Sequence, residues 1–310
     1  MTSKNLFSEK KVCGRIWGLM KEDIKRRIWV LALMFLAFFF ALPVKLALVM
    51  ENARRMEFRA YNDYEPIEKL LPEHFTAKQY EMMTAFFKRE VVLDEISYGN
   101  GLMVFLFLMA AVVVGVTAFS YLHNKKKVDF YHSIPVRREV LFAVQYGDGI
   151  LIPAAAYLFG CLLFTAVAAA YGVPVSEFFG SMAAAFGMNL LYYSLVYGTV
   201  TVAMMMTGNI VISLLGTAVF FGFVPLAGRP FGAFADQFFV TSAGEFWYAD
   251  SSPYLWAMQN LSPVGAYIWS VASVSDADGI KMAEVLKVAA CMMAVTALSL
   301  ELYRLRPSEA

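Results

Sequence analysis

Charged residues are scarce in this chain. Asp, Glu, Lys and Arg make up 16% of its 310 residues, where soluble domains carry about 25%. Histidine and cysteine are scarcer, with three of each. Cys13, Cys161 and Cys291 are odd in number and far apart, which excludes a disulfide framework and leaves buried or interfacial thiols. His74, His123 and His132 form no His-Glu-x-x-His helix, and no Cys/His cluster has zinc spacing, so no metal site is expected. The Gly-x-x-x-x-Gly-Lys-Ser/Thr phosphate loop is missing, which excludes ATP binding by that route. Ser, His and Asp never assemble into a nucleophile-elbow pattern. With no catalytic constellation, the chain is expected to be no enzyme, to hold no cofactor and to bind no nucleic acid.

What it has in abundance is apolar sequence. The chain is 59% hydrophobic with a mean hydropathy of +0.57, the composition of an all-α integral membrane protein. Six stretches approach or exceed the roughly 20 apolar residues that cross a bilayer: 28–49, 101–121, 141–170, 181–206, 210–228 and 285–303. The first starts near Ile28, is longer than a signal-peptide core and lacks a small-x-small exit, so no cleavable leader is expected. Charge orients the six. Segments 1–27, 122–140, 207–209 and 301–310 hold fifteen Lys/Arg against seven Asp/Glu. Segments 51–100, 171–180 and 229–284 hold nine against seventeen. The positive-inside rule therefore places both termini in the cytoplasm.

Between and before the spans lie three segments of distinct character. Ser8–Arg27 is basic and amphipathic, with Val12, Ile16, Trp17, Met20 and Ile24 at helical spacing, and reads as an interfacial helix on the inner leaflet and its lipids. In the outer segment 51–100, Thr76-Ala-Lys-Gln79 resembles a capping box followed by Tyr80, Met83, Phe87 and Val91, which predicts a small helical lobe. The outer segment 229–284 is rich in Trp, Tyr and Phe. Within it, Leu255–Val274 is apolar but broken by Pro263 and Gly265, so a re-entrant or interface-lying helix pair is expected before span six.

With Glu301 counted in the last connecting segment, Lys45, Asp148 and Lys287 are the only charged residues within spans. Lys45 lies near an outer end, where its stem can snorkel. Asp148, in Tyr146-Gly147-Asp148-Gly149, invites comparison with the Gly-x-Gly-Asp motif of intramembrane aspartyl proteases. The first glycine is replaced by Gln145 and no second aspartate sits in a neighbouring span to share a proton, so Asp148 reads as a structural or interfacial carboxylate. Gly160, Ala183–Ala185 with Gly187, Gly198, Gly208 and Gly216 allow close helix approach. Asn189, Tyr192, Tyr193 and Tyr197 put polar groups on span four, where they either line a polar path or bond neighbouring helices.

The loop between spans two and three is the most informative stretch. Tyr121-Leu-His-Asn-Lys-Lys-Lys-Val-Asp-Phe-Tyr-His-Ser-Ile-Pro-Val-Arg-Arg-Glu139 combines Lys125, Lys126, Lys127, Arg137 and Arg138 with Val128, Phe130, Tyr131 and Ile134. A solvated connector needs no adjacent aromatics, so part of this loop is expected to dock on a partner. The stretch is similar to the Tyr-x-His-x-Lys-(Lys/Arg)-x-Val-Asp-x-Tyr-His-Ser-Leu-Pro-(hydrophobic)-(Lys/Arg)-Arg-Glu segment of a Firmicutes family of ABC transporter permeases, of the type-2 (ABC-2-like) exporter class. Leu261-Ser-Pro263 and Arg306-Pro-Ser-Glu-Ala310 also resemble that family. The resemblance implies a coupling helix at Lys125, Lys126, Lys127, Val128, Asp129, Phe130, Tyr131, His132, Ile134, Pro135, Arg137 and Arg138, seated in a cytoplasmic ABC ATPase subunit. It further implies a second permease copy or sister permease and alternating access for an amphipathic or lipid-like cargo or peptide. Two other classes remain open: an ATPase-linked sensor or scaffold for cell-envelope stress or peptide antibiotics, and an ion-coupled carrier, although neither inverted repeats nor midplane charges are seen.

Overall fold

The computed structural model of the chain describes residues 17–52, 77–124, 126–128, 136–238, 253–275 and 282–306. Among these residues there is no strand. Helix α1 (residues 17–26) ends in a turn at Arg27 and leads into α2 (Ile28–Asn52). Within α2, Pro43 supplies no backbone N–H, and the helix widens to π geometry over Phe40–Val44. Then come α3 (Ala77–Ile96), α4 (Gly101–Phe119), α5 (Arg138–Ala170), α6 (Val175–Met206), α7 (Ile210–Phe238), α8 (Pro253–Leu261), α9 (Pro263–Ser275) and α10 (Met282–Leu305).

Five helices are long and apolar enough to cross a membrane, and α7 makes a sixth if its bent halves count as one span. The chain is thus a helical, multi-pass membrane protein. Apolar stretches and helices differ at their ends. Helix α6 starts at Val175 rather than at 181, because the Pro174 turn and not hydropathy sets its beginning. Helix α7 runs on to Phe238, and its halves Ile210–Val224 and Leu226–Phe234 are inclined at 52° about Pro225, which offers no N–H to the helical ladder. Between α5 and α6 the chain reverses at Gly172, whose φ of 85° suits a residue without a Cβ. There the Val173 N–H donates to Ala168 O and the Gly172 N–H to Ala169 O, closing α5 with a Schellman motif.

Helix α6 is the hub: α3, α4, α5, α7, α9 and α10 all pack on it. From Tyr192 to Met205 every residue is buried, so this helix has no outward face over four turns. Helix α10 is the opposite case, with only Val288, Ser299 and Tyr303 buried. Small residues set the closest approaches. A Cβ on Gly160 would come 3.0 Å from Leu42, and one on Gly198 would come 2.9 Å from Val295.

Of the outer segment expected to form a small helical lobe, residues 77–96 form helix α3, in which Val92 and Ile96 are buried and Phe87 is exposed among the side chains described. Residues 53–76 lie outside the described range, as do 239–252. The aromatic segment before α10 forms the two short helices α8 and α9, of nine and thirteen residues, each too short to span a bilayer. Pro263 opens α9, and the Ser262 hydroxyl accepts the Gly265 N–H at 3.0 Å, a serine N-cap with proline at the first helical position.

The two ends of the bundle sort as charge does. At one end meet the α1–α2 junction, the chain after α4, the α6–α7 turn and the end of α10. At the other, Lys45 pairs with Glu95 at 2.7 Å, Arg89 with Glu177 at 3.3 Å, and Tyr98 donates to Ser270 at 3.1 Å. The described parts of the segments that the charge count assigned to one side therefore share one end.

Candidate functional site

The basic end is built from segments far apart in the chain. After α4 the chain makes a 3-10 turn over Ser120–His123, then one helical turn at 126–128. Arg306 draws the segments together: its guanidinium donates to Leu122 O at 3.2 Å, Met204 O at 3.1 Å and Met205 O at 3.4 Å. Those carbonyls belong to the 3-10 turn after α4 and to the last turn of α6, where helix ends leave acceptors unfilled. Burial pushes the Arg306 pKa below its ordinary value, opposed by Tyr121 and Tyr303, and an arginine stays charged regardless. Arg138 reaches Arg306 O at 3.5 Å, Arg304 pairs with Glu139 at 3.3 Å, and His123 Nε2 lies 3.2 Å from Ser213 Oγ. Arg306→Ala is expected to lower stability by about 1–2 kcal/mol, the worth of charge-assisted bonds at a half-buried site. Arg306→Lys should restore only part of this, since an ammonium cannot span three carbonyls. Thermal melting in detergent checks both; equal stability of all three proteins would remove the clamp role.

Of the loop residues expected to dock on a partner, Lys126, Lys127, Arg137 and Arg138 are exposed. Val128 is 6% exposed and turns into its own bundle, so it is not offered outward. Lys125, Asp129, Phe130, Tyr131, His132, Ile134 and Pro135 lie outside the described residues.

Deeper, α5 and α6 meet through the Gly147-Asp148-Gly149 stretch. Tyr193 donates to Gly149 O at 2.7 Å and Tyr197 to Gln145 O at 3.5 Å. Asp148 is fully buried. Neither of its carboxylate oxygens has a hydrogen-bond partner among the described residues. The nearby Arg27, 6% exposed and ion-paired with Asp23, acts on Asp148 electrostatically.

Toward the other end, Asn189 joins three helices. Its amide donates to Tyr157 Oη at 3.2 Å, and Tyr267 Oη donates to its carbonyl at 2.6 Å. Tyr192 and Tyr267 stack 5.0 Å apart at 6°, with Tyr98 against both. Asn189, Tyr192, Tyr193 and Tyr197 are thus all buried, 2% exposed at most, and three of them hydrogen-bond neighbouring helices directly. Reasoning from sequence missed Tyr98, Tyr157, Tyr267 and Ser270 as their partners, because these come from the turn between α3 and α4, from α5 and from α9. It also missed Arg27 and Arg306 as interior clamps, counting them only as interfacial charge. Among the described residues no three His, Cys, Asp or Glu side chains converge to hold a metal.

No protein-family profile matches the chain, and no curated protein matches it significantly.

Proposed function

We propose that the chain is the membrane-spanning permease subunit of an ATP-driven exporter of the type-2 ABC class, in the bacterial cytoplasmic membrane with both termini inside. The observation that carries this reading is the 121–139 stretch, with its motif similar to the permease family. It emerges from α4 at the end of the bundle shared by α1 and the end of α10. That end carries the positive excess, which favours the cytoplasmic side. The α8–α9 pair suits the re-entrant segment that such permeases place before their last span. Lacking a phosphate loop, the chain relies on a separate ATPase subunit for energy. Closure of two ATPases moves the loops seated in them, and a pair of permeases alternates between inward and outward access. The cargo in this reading is an amphipathic or lipid-like molecule or a peptide.

The test is co-expression of the tagged chain with the ATPase encoded beside its gene, followed by capture in detergent. Wild type is expected to retain the ATPase. A variant carrying Phe130→Ala, Tyr131→Ala and Ile134→Ala should lose at least about tenfold of it, as expected when interface aromatic anchors are removed, while keeping its melting temperature. Well-behaved wild-type protein that captures no ATPase would sink the exporter reading.

A further inference from the structure

Where α1 meets α2, the bundle holds a cavity of about 410 Å³ lined by Asp23, Arg26, Arg27, Trp29, Lys126 and Lys127, with Ser120 from the end of α4. Its cations come from two parts of the chain separated by some hundred residues. Both sets converge because α2 and α4 reach the membrane boundary at the same end. Asp23 pairs with Arg27, so its negative charge is already met. No carboxylate among the described residues pairs with Lys126 or Lys127. Lys126 and Lys127 give the cavity its positive charge, and its lining holds four basic side chains against the one carboxylate of Asp23, which favours anions.

Its depth narrows the choice further. The apolar run of α2 begins at Ile28, beside Arg27, and the apolar run of α4 ends at Phe119, beside Ser120. Trp29, 56% exposed, stands at the rim, as interfacial aromatics do. An anion at this level sits among lipid headgroups, and basic pockets between spans are suited to anionic headgroups. We propose that this cavity binds the phosphate of an anionic phospholipid. Lys126 and Lys127 then grip the membrane, and docking on a partner is left to the loop beyond them. The assignment goes beyond the exporter reading and does not depend on it.

Native mass spectrometry of the full chain in neutral detergent tests it, with phosphatidylglycerol, phosphatidylcholine and inorganic phosphate as probes. Wild type should retain phosphatidylglycerol about tenfold or more over phosphatidylcholine, since basic groups at the membrane surface attract anionic headgroups. Arg26→Gln, Lys126→Gln and Lys127→Gln together should abolish that preference. A second triple variant outside the cavity, Lys21→Gln, Lys25→Gln and Arg137→Gln, should keep it; matched melting curves show that both fold. Absence of preference in wild type, or equal loss in the two variants, overturns the site. Inorganic phosphate binding as tightly as phosphatidylglycerol overturns the lipid as its source.

Discussion

Gly149→Ala is expected to cost the bundle about 3 kcal/mol or more, the upper range for forcing extra volume into a packed core. A Cβ at this position would lie 2.0 Å from the Tyr197 hydroxyl and 2.4 Å from its ring carbon Cζ. The ring has no easy retreat. Tyr197 is fully buried on α6, packed against Tyr146 at 5.0 Å and Tyr193 at 5.8 Å. Two residues away, a Cβ on Gly147 would meet nothing within 4 Å. Gly147→Ala should therefore hold or raise stability, by up to about 1 kcal/mol from helix propensity. Melting curves of the two variants decide the matter: similar behaviour would mean that α5 and α6 do not meet as described. A coupled variant sharpens the test. Combined with Tyr197→Leu, which removes the atoms the new methyl would strike, Gly149→Ala should add less than its single cost.

Asn189→Leu is the second large effect, at about 3 kcal/mol. Interhelical hydrogen bonds in a bilayer average only about 0.6 kcal/mol and reach about 1.7, so the bonds alone do not account for it. The larger part is what the substitution leaves behind. Tyr157 and Tyr267 are 1% and 0% exposed, and an orphaned buried hydroxyl costs about 1–3 kcal/mol. Adding Tyr157→Phe and Tyr267→Phe to Asn189→Leu should therefore recover much of the loss, because all three polar partners are then gone together. If the triple variant melts no higher than Asn189→Leu, loss of packing and not orphaned hydroxyls is the cause.

Both cases rest on side chains whose importance was only half visible in the sequence. Gly149 stood out as part of an unusual Gly-Asp-Gly, yet nothing local said that a tyrosine hydroxyl occupies the space beside it. Asn189 and the tyrosines of α6 were recognisable as polar groups in an apolar run, without a choice between a path and a clamp. Proximity decided: Tyr98 and Ser270 are 172 positions apart and share a hydrogen bond. Arg306 shows the same limit, since a cation after the last span reads as a topology signal until three carbonyls are found converging on it. The 121–139 loop is the reverse case, legible as a motif and as charge, with Phe130, Tyr131 and Ile134 outside the described residues.

Hydropathy and charge are sums over neighbouring residues. For this reason the sequence by itself determined the membrane class, the approximate spans and the grouping of connecting segments onto two ends. Which helix becomes the hub was not settled that way: α6 is no more apolar than its neighbours and became central through what packs on it. The bend at Pro225, the burial of Asp148 and the meeting of Arg26 with Lys126 and Lys127 around one cavity were likewise decided by tertiary structure. Each depends on which surfaces touch, and no local window of sequence contains that information.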